Sequence, residues 1–134
     1  MNYWLLKTEP ETYSWDDLVK DNKGVWDGVR NFQARKNLKA MSKGDTALIY
    51  HTGEQKAVVG IAIVNKGPYP EPKDPDWIAV DLMPDKSLKN AVALSRIKQD
   101  KPLQNMVLVK AARLSVQPVT PEEYQRILEL SKKP

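Results

Sequence analysis

Trp26-Asp27-Gly28-Val29-Arg30-Asn31 is the stretch around which the chain is organised. It has neither helical nor strand period, and it directly precedes apolar residues at helical spacing. We interpret it as a rigid loop leading into a helix, with Asn31 as the N-cap and Gly28 permitting a backbone angle that a Cβ would block. Such a loop presents its side chains rather than burying them. In the alternative interpretation, Trp26 is a core aromatic and Arg30 pairs with Asp27.

Length and composition predict one soluble domain covering residues 1–134. The mean hydropathy is negative and no long apolar run occurs, so no membrane span is expected. The first seven residues lack the basic region and apolar core of a secretory signal. The chain has no cysteine, which excludes disulfides, thiolate catalysis and cysteine-based zinc sites. These features predict a cytoplasmic protein.

The charges are distributed unevenly, although the net charge is only +4. Acidic residues concentrate near both ends, whereas every charge between Asp27 and Asp45 is positive and residues 86–113 contain one acid, Asp100. If the two basic segments share a face, a polyanion is the natural partner, because such a stripe gains from counterion release. The alternative is a solvated face neutralised by the acidic helices. The predicted phosphate contacts are Arg35, Lys36, Lys39, Lys43 and Arg113.

Hydrophobic periodicity predicts strands at residues 3–6, 46–51, 56–64, 77–83, 91–94 and 113–119. Residues 46–51 and 56–64 form a predicted antiparallel hairpin, with a bulge or bend at Gly60. Residues 67–75 contain four prolines and are predicted to be a loop. With about five to six short strands and helices at the edges, we expect an α+β fold built on a small, mostly antiparallel β-barrel.

Helix ends are predicted from capping chemistry. Ser14, Ser95 and Thr120 are expected N-caps, the last with proline and glutamate at the positions that a capping box favours. The helix that follows the central loop covers about residues 32–41 and is expected to end with Gly44 as a left-handed cap.

The residues that an enzyme would use are few. His51 is the only histidine, and no HExxH, GxGxxG or P-loop motif occurs. Glu9 or Asp27 could act as a general base with His51, but nothing in the sequence places them together. We therefore expect a protein without catalysis, metal or cofactor.

What remains is a set of residues suited to recognition. Aromatic side chains and hydrogen-bonding groups together suit a flat, polar heteroaromatic ligand such as a nucleobase, which needs a stacking face and donors or acceptors at its edge. The alternative is that each aromatic belongs to the core, an interpretation that fits Tyr50 and Phe32 better than Trp26. The set comprises Trp26, Phe32, Tyr50 and Tyr69 with Thr8, Asp27, Asn31, Ser115 and Gln117.

Six motifs, in order over nearly the whole chain, resemble those of the EVE-domain family. They are YWLLKTEP at 3–10, WDGVRNFQAR at 26–35, GDTALIYHT at 44–52, VVGIAIV at 58–64, YP at 69–70 and RLSVQPVT at 113–120. The resemblance implies a PUA-like barrel related to YTH domains. It also implies a pocket for modified bases, notably 5-methylcytosine and its oxidised forms, in DNA or RNA.

The resemblance assigns roles to particular residues. Trp26 corresponds to a wall of the base pocket and Asp27, Arg30 and Asn31 to its polar rim. Thr8 and Glu9 reach the same cavity, and Val29, Tyr50 and His51 complete the predicted set, with Ser115, Gln117 and Pro118 on the other side. The chain departs from many relatives in its short segment between Tyr69 and Trp77, which leaves open whether a second aromatic wall exists.

The sequence therefore predicts a monomeric nucleic-acid-binding module that recognises a modified base in DNA or RNA, without a membrane role. The alternative function is binding of a small nucleobase-like metabolite, or interaction with another protein.

Overall fold

A computed structural model describes residues 2–134 of the chain. In chain order the elements are β1 (Tyr3–Thr8), α1 (Trp15–Asp21), β2 (Gly24–Trp26), α2 (Phe32–Lys39), β3 (Thr46–His51), β4 (Ala57–Pro70), β5 (Ile78–Ala93), α3 (Leu94–Gln99), a 3-10 turn (Lys101–Leu103), α4 (Val107–Lys110), β6 (Val116–Val119) and α5 (Pro121–Ser131). Within residues 2–134, no helix has the length and apolarity needed to cross a membrane.

The strands form one mixed sheet with the order β2-β5-β4-β3-β1-β6. β1 and β3 are parallel, and the other neighbouring strands are antiparallel. The α+β class is thus confirmed, as is the hairpin of β3 and β4. The sheet begins at β2 and ends at β6 without closing on itself, so the barrel that the strand pattern and the family resemblance predict is not confirmed.

Two hydrophobic cores lie on opposite faces of this sheet, because successive strand residues point to opposite sides. The Trp4 face, which carries Trp4 and Trp26, is covered by α1 and α2. The Leu5 face, which carries Leu5, is covered by α3, α4 and α5. Burial on both faces explains the nearly unbroken apolar sequence of the central strand β3, whose residues are all buried.

The prediction of a loop at residues 67–75 is wrong in its first part, because β4 continues to Pro70. β3 pairs with β4 only as far as Ile63, so the rest of β4 pairs along one side with β5. Proline is tolerated where a strand has a free side, and the register of β4 against β5 shifts between Lys66 and Tyr69. The strands predicted at 77–83 and 91–94 are likewise one continuous strand, β5.

Capping chemistry correctly predicts three helix starts and fails at two positions. Ser14, Asn31 and Thr120 each accept a backbone N–H at the start of α1, α2 and α5. Ser95 is not an N-cap, because β5 runs directly into α3 and Ala93 occupies the cap position. Gly44 is not the cap of α2, which ends at Lys39; it has a φ of +96° in the turn before β3.

Gly60 marks the point where α1 packs against the sheet. The register of β4 against β5 shifts between Val58 and Gly60, which confirms the predicted irregularity. A Cβ at Gly60 would lie 2.2 Å from Cε2 of the Trp15 indole. His51 holds the same helix, because its Nε2 accepts the Trp15 backbone N–H at 2.9 Å. The missing side chain of Gly60 thus makes room for the first turn of α1.

We expect Gly60→Ala to destabilise the fold by about 1–3 kcal/mol, the usual cost of overpacking a core. Thermal denaturation measures the effect. The matched background is Trp15→Phe, whose smaller ring relieves the contact, so Gly60→Ala should cost less there than in the wild-type chain. An equal cost in both backgrounds would mean that Trp15 is not what excludes the methyl group.

Candidate functional site

Trp26 belongs both to the core and to the wall of a cavity. It ends β2, pairs with Val80 of β5 and is only 8% exposed. Tyr13 meets its ring edge-on, with centroids 6.1 Å apart and planes at 78°. The two interpretations of Trp26 from the sequence are therefore compatible.

The Trp26 cavity has a volume of about 470 Å³. This size lies within the range of roughly 300–1,000 Å³ typical of small-ligand sites. Its walls come from the end of β1, the segment before α1, the stretch from β2 towards α2, and the residue before β6. The lining residues are Lys7, Thr8, Thr12, Tyr13, Val25, Trp26, Asp27, Gly28, Val29, Arg30 and Ser115.

Backbone and side-chain hydrogen bonds join these segments. The Lys7 backbone N–H donates to the Ser115 carbonyl at 2.9 Å, which ties β1 to the approach to β6. The Thr8 hydroxyl donates to the Tyr13 carbonyl at 2.6 Å, which ties β1 to the segment before α1. Three of the four walls are therefore joined to one another independently of any ligand.

Six of the predicted pocket residues lie together in this cavity: Thr8, Trp26, Asp27, Val29, Arg30 and Ser115. Within residues 2–134, the Asp27 carboxylate makes no hydrogen bond and no ion pair within 4.0 Å, and the side chain is exposed. It is therefore available to accept hydrogen bonds from a ligand.

Tyr50 and His51 lie outside the cavity. Tyr50 points to the Leu5 face and is buried in that core. His51 is 8% exposed, with Nε2 accepting from Trp15 and Nδ1 2.7 Å from the Gln55 Oε1 atom. Since Nε2 is an acceptor, Nδ1 carries the proton and donates to Gln55. Both ring nitrogens are engaged in holding the fold, and neither Tyr50 nor His51 lines the cavity beside Trp26.

Gln117 and Pro118 do not reach the cavity either. Gln117 is fully buried and donates from Nε2 to the Leu114 carbonyl at 2.8 Å. Pro118 lines a separate depression beside Trp4 and Ala40. Of the three residues predicted to close this side of the pocket, only Ser115 lines the cavity, because β6 moves away from it beyond that residue.

Glu9 and Asn31 flank the cavity without lining it. The Glu9 carbonyl accepts from the backbone N–H groups of Thr12 and Tyr13, so the residue shapes the turn after β1 while its side chain is exposed. The Asn31 side chain accepts the Ala34 N–H at 2.9 Å and is used as the helix cap. The Glu9 backbone and the Asn31 side chain thus have local structural roles beside the cavity.

Lys7 and Tyr13 are cavity residues that the sequence analysis missed. Burial lowers the pKa of Lys7, whose ammonium donates to the Ala112 carbonyl. Burial, with a hydrogen bond to Asp21 at 3.0 Å, raises the pKa of Tyr13 to about 12, so its phenol stays protonated. Lys7 is the sequence neighbour of Thr8, a predicted pocket residue, and this position is a signal that could have identified it. No feature of the local sequence indicates that Tyr13 lines the cavity.

A buried carboxylate fixes the loop between β2 and α2. Glu71 is 4% exposed. Its carboxylate accepts hydrogen bonds from both terminal nitrogens of Arg30, at 2.8 and 2.9 Å, and from the Gly28 N–H at 3.1 Å. The hydrogen bonds from Arg30 hold the pKa of Glu71 below its usual value, although burial opposes them. The pairing of Arg30 with Asp27, which belonged to the alternative interpretation of this loop, is therefore wrong, because Arg30 pairs with Glu71.

Phe32 lies outside the core, contrary to the alternative that placed it there. It is 69% exposed and stacks on Trp77, with ring centroids 5.4 Å apart and an interplanar angle of 22°. Arg35 lies against both rings, 4.9 Å from the centroid of Phe32 and 5.3 Å from that of Trp77. We call this pair of aromatic rings the Phe32–Trp77 platform.

The predicted phosphate residues Lys36, Lys39, Lys43 and Arg113 are all exposed. The two basic segments do not form one stripe, because α2 packs on the Trp4 face whereas α3 and α4 pack on the Leu5 face. Arg113 lies two residues before Ser115, which lines the cavity. In residues 2–134, no group of three His, Cys, Asp or Glu side chains is arranged to hold a metal ion.

These features define a small α+β domain with a ligand-sized cavity beside one edge strand of its sheet. The EVE-domain family model matches residues 2–130, and the chain belongs to that family. Mouse thymocyte nuclear protein 1 is 35% identical over 96% of this chain and 73% of the mouse protein.

Solved structures agree with this assignment. A protein from Rhodopseudomonas palustris, solved by NMR, has a TM-score of 0.94 and 41% identity, covering 98% of this chain and 94% of its own. Human THYN1, crystallised in complex with DNA containing 5-methylcytosine, has a TM-score of 0.91 and 32% identity, covering 100% of this chain and 99% of its own.

We expect Glu71→Gln to lower the melting temperature at neutral pH, because the substitution removes the charge that Arg30 neutralises. The lowered pKa of Glu71 means that its stabilising effect is present above the ordinary carboxyl pKa and is lost as the pH falls through the lowered value. The difference between variant and wild type should therefore shrink on acidification. Melting temperatures measured from pH 7 to pH 3 test this.

Glu129→Gln is the matched control, since Glu129 also pairs with an arginine but its side chain is 62% exposed. Exposed ion pairs contribute little to stability. A loss of stability in Glu71→Gln that equals that of Glu129→Gln, or that does not change with pH, would contradict the role assigned to Glu71.

Proposed function

We propose that this protein binds nucleic acid and holds a modified base, of the 5-methylcytosine type, in the Trp26 cavity. The observation that carries the proposal is the complex of human THYN1 with DNA containing 5-methylcytosine, in a fold that matches this chain over its full length. The cavity supplies the location, because it combines an aromatic wall with polar side chains and is of ligand size.

The lining suits a cytosine ring. Trp26 provides an aromatic surface for stacking, and the Asp27 carboxylate accepts a hydrogen bond from the exocyclic amino group, the pairing that acidic side chains make with cytosine. Val25 and Val29, which also line the cavity, offer apolar contact for a methyl group. The base must leave its stack to enter, so single-stranded or easily unpaired sites are favoured.

The proposal includes binding without catalysis, as a monomer in the cytoplasm, and extends to RNA as well as DNA. The absence of catalysis is supported by the sole histidine, His51, whose two ring nitrogens are both used in holding the fold. The exposed lysines of α2 follow the cavity loop directly in sequence and are the proposed phosphate contacts.

A binding screen tests the base pocket. Short oligonucleotides that differ only in base modification should bind the wild-type protein with different affinities. Trp26→Leu keeps apolar bulk but removes the stacking surface, so it should weaken binding of the preferred oligonucleotide by about 1–3 kcal/mol per folded molecule. Because Trp26 is also a core residue, a lower melting temperature is expected as well.

Trp4→Leu is the control for that loss of stability. Trp4 is a tryptophan of the same core, 6% exposed, that does not line the Trp26 cavity. It should lower the melting temperature while leaving the affinity per folded molecule near the wild-type value. Equal affinities in the two variants would remove Trp26 from the pocket, and a wild-type protein with no modification preference would overturn the proposed function.

Lys36→Gln combined with Lys39→Gln should weaken binding to modified and unmodified oligonucleotides alike, because phosphate contacts do not read the base. The slope of log affinity against log salt should decrease by roughly 0.7–0.9 for each phosphate that the variant no longer neutralises. Lys132→Gln with Lys133→Gln is the matched control, since it removes the same charge beyond the end of α5. If the α2 double variant loses only its modification preference, these lysines do not bind phosphate.

A further inference from the structure

Phe32 is an unusual residue to leave on the surface. It is the first residue of α2 and, at 69%, the most exposed large hydrophobic side chain in residues 2–134. A single exposed apolar residue is ordinary. This one, however, is held in a defined arrangement with a second aromatic ring and two guanidinium groups.

The contacts of the Phe32–Trp77 platform restrict its motion. Arg35 lies against both rings and is itself anchored, because its terminal nitrogen donates to the Asp76 carbonyl at 2.9 Å. Arg30 lies 5.2 Å from the Trp77 ring centroid. The aromatic rings are therefore held by Arg35, which comes from α2, and by Arg30, which lines the cavity.

Arg30 connects the platform to the Trp26 cavity. The same side chain lines the cavity, pairs with Glu71 and lies against Trp77. The platform is thus continuous with the cavity rim rather than a separate surface patch.

The charge of this surface indicates the chemistry of its occupant. Within residues 2–134, Arg35 forms no ion pair with a carboxylate within 4.0 Å, and its guanidinium lies beside both aromatic rings. Aromatic rings interleaved with cations are the arrangement that binds single-stranded nucleic acid, in which bases stack and phosphates are attracted.

We propose that the Phe32–Trp77 platform stacks the base that neighbours the one held in the Trp26 cavity. This inference rests on the proposed function. The platform is then a second subsite for the same nucleic-acid strand, and stacking there adds affinity that does not depend on the modification.

The test uses single-stranded DNA with one central 5-methylcytosine, an unmodified counterpart, and two further modified strands that carry an abasic residue on the 5′ or the 3′ side of the modified base. Phe32→Ala should weaken binding of the intact modified strand roughly 5- to 150-fold, the range for loss of one stacked base. Phe32→Tyr keeps the ring and should bind as the wild type does. The modification preference should persist in Phe32→Ala.

The abasic strands locate the stacked base. With the abasic residue on the side that the platform binds, wild type should lose the same factor and Phe32→Ala should lose nothing further. Val19→Ala is the control for removal of an exposed apolar side chain, since Val19 is 46% exposed and does not line the Trp26 cavity. It should leave every affinity unchanged.

The outcomes separate the two proposals. A wild-type preference for the modified strand with no effect of Phe32→Ala overturns the platform and leaves the pocket intact, so that the platform would serve another contact such as a protein. An effect of Phe32→Ala that is the same on all strands, including both abasic ones, also overturns it. A wild-type protein with no modification preference overturns the proposed function itself, whatever Phe32 does.

Discussion

The ion pair between the buried carboxylate of Glu71 and the half-exposed guanidinium of Arg30 is the constraint on which the candidate site depends. A desolvated carboxylate is unfavourable unless it is paired and hydrogen-bonded. Glu71 receives two donors from Arg30 and a third from the Gly28 N–H. These donors come from the loop between β2 and α2. If the loop moved away from the sheet, the buried carboxylate of Glu71 would lose all three hydrogen bonds. The pair thereby fixes the rim of the Trp26 cavity and the position of Arg30 against Trp77.

The cavity wall and the hydrophobic core share a side chain in Trp26. Its ring is buried among residues of the Trp4 face, and the small part that remains exposed borders the cavity. A ligand that stacks there meets a surface already held in place by packing, so little side-chain entropy is lost on binding. The same arrangement means that stability and recognition cannot be changed independently at this residue.

Six of the cavity residues were predicted from the sequence, Thr8 and Ser115 among them because the family motifs include these positions. Trp26, Asp27, Val29 and Arg30 were grouped correctly because they lie in one motif. Tyr13 was missed, since it enters the cavity only through the packing of α1 and the segment before it. His51, Tyr50 and Gln117 were polar or aromatic residues at strand ends, and nothing in their local sequence shows which face of the sheet they occupy.

The sequence by itself determined the α+β class, the β3–β4 hairpin, the N-caps of α1, α2 and α5, and the loop that opens into α2. Capping bonds and turn sterics act within a few residues, so the local sequence contains the information. Only the tertiary structure decided that Arg30 pairs with Glu71, 41 residues away, and that β4 continues through Pro68. The same is true of the two basic segments packing on opposite faces. These features depend on which strands pair and which sides stay free, and that is settled by burial of the whole sheet.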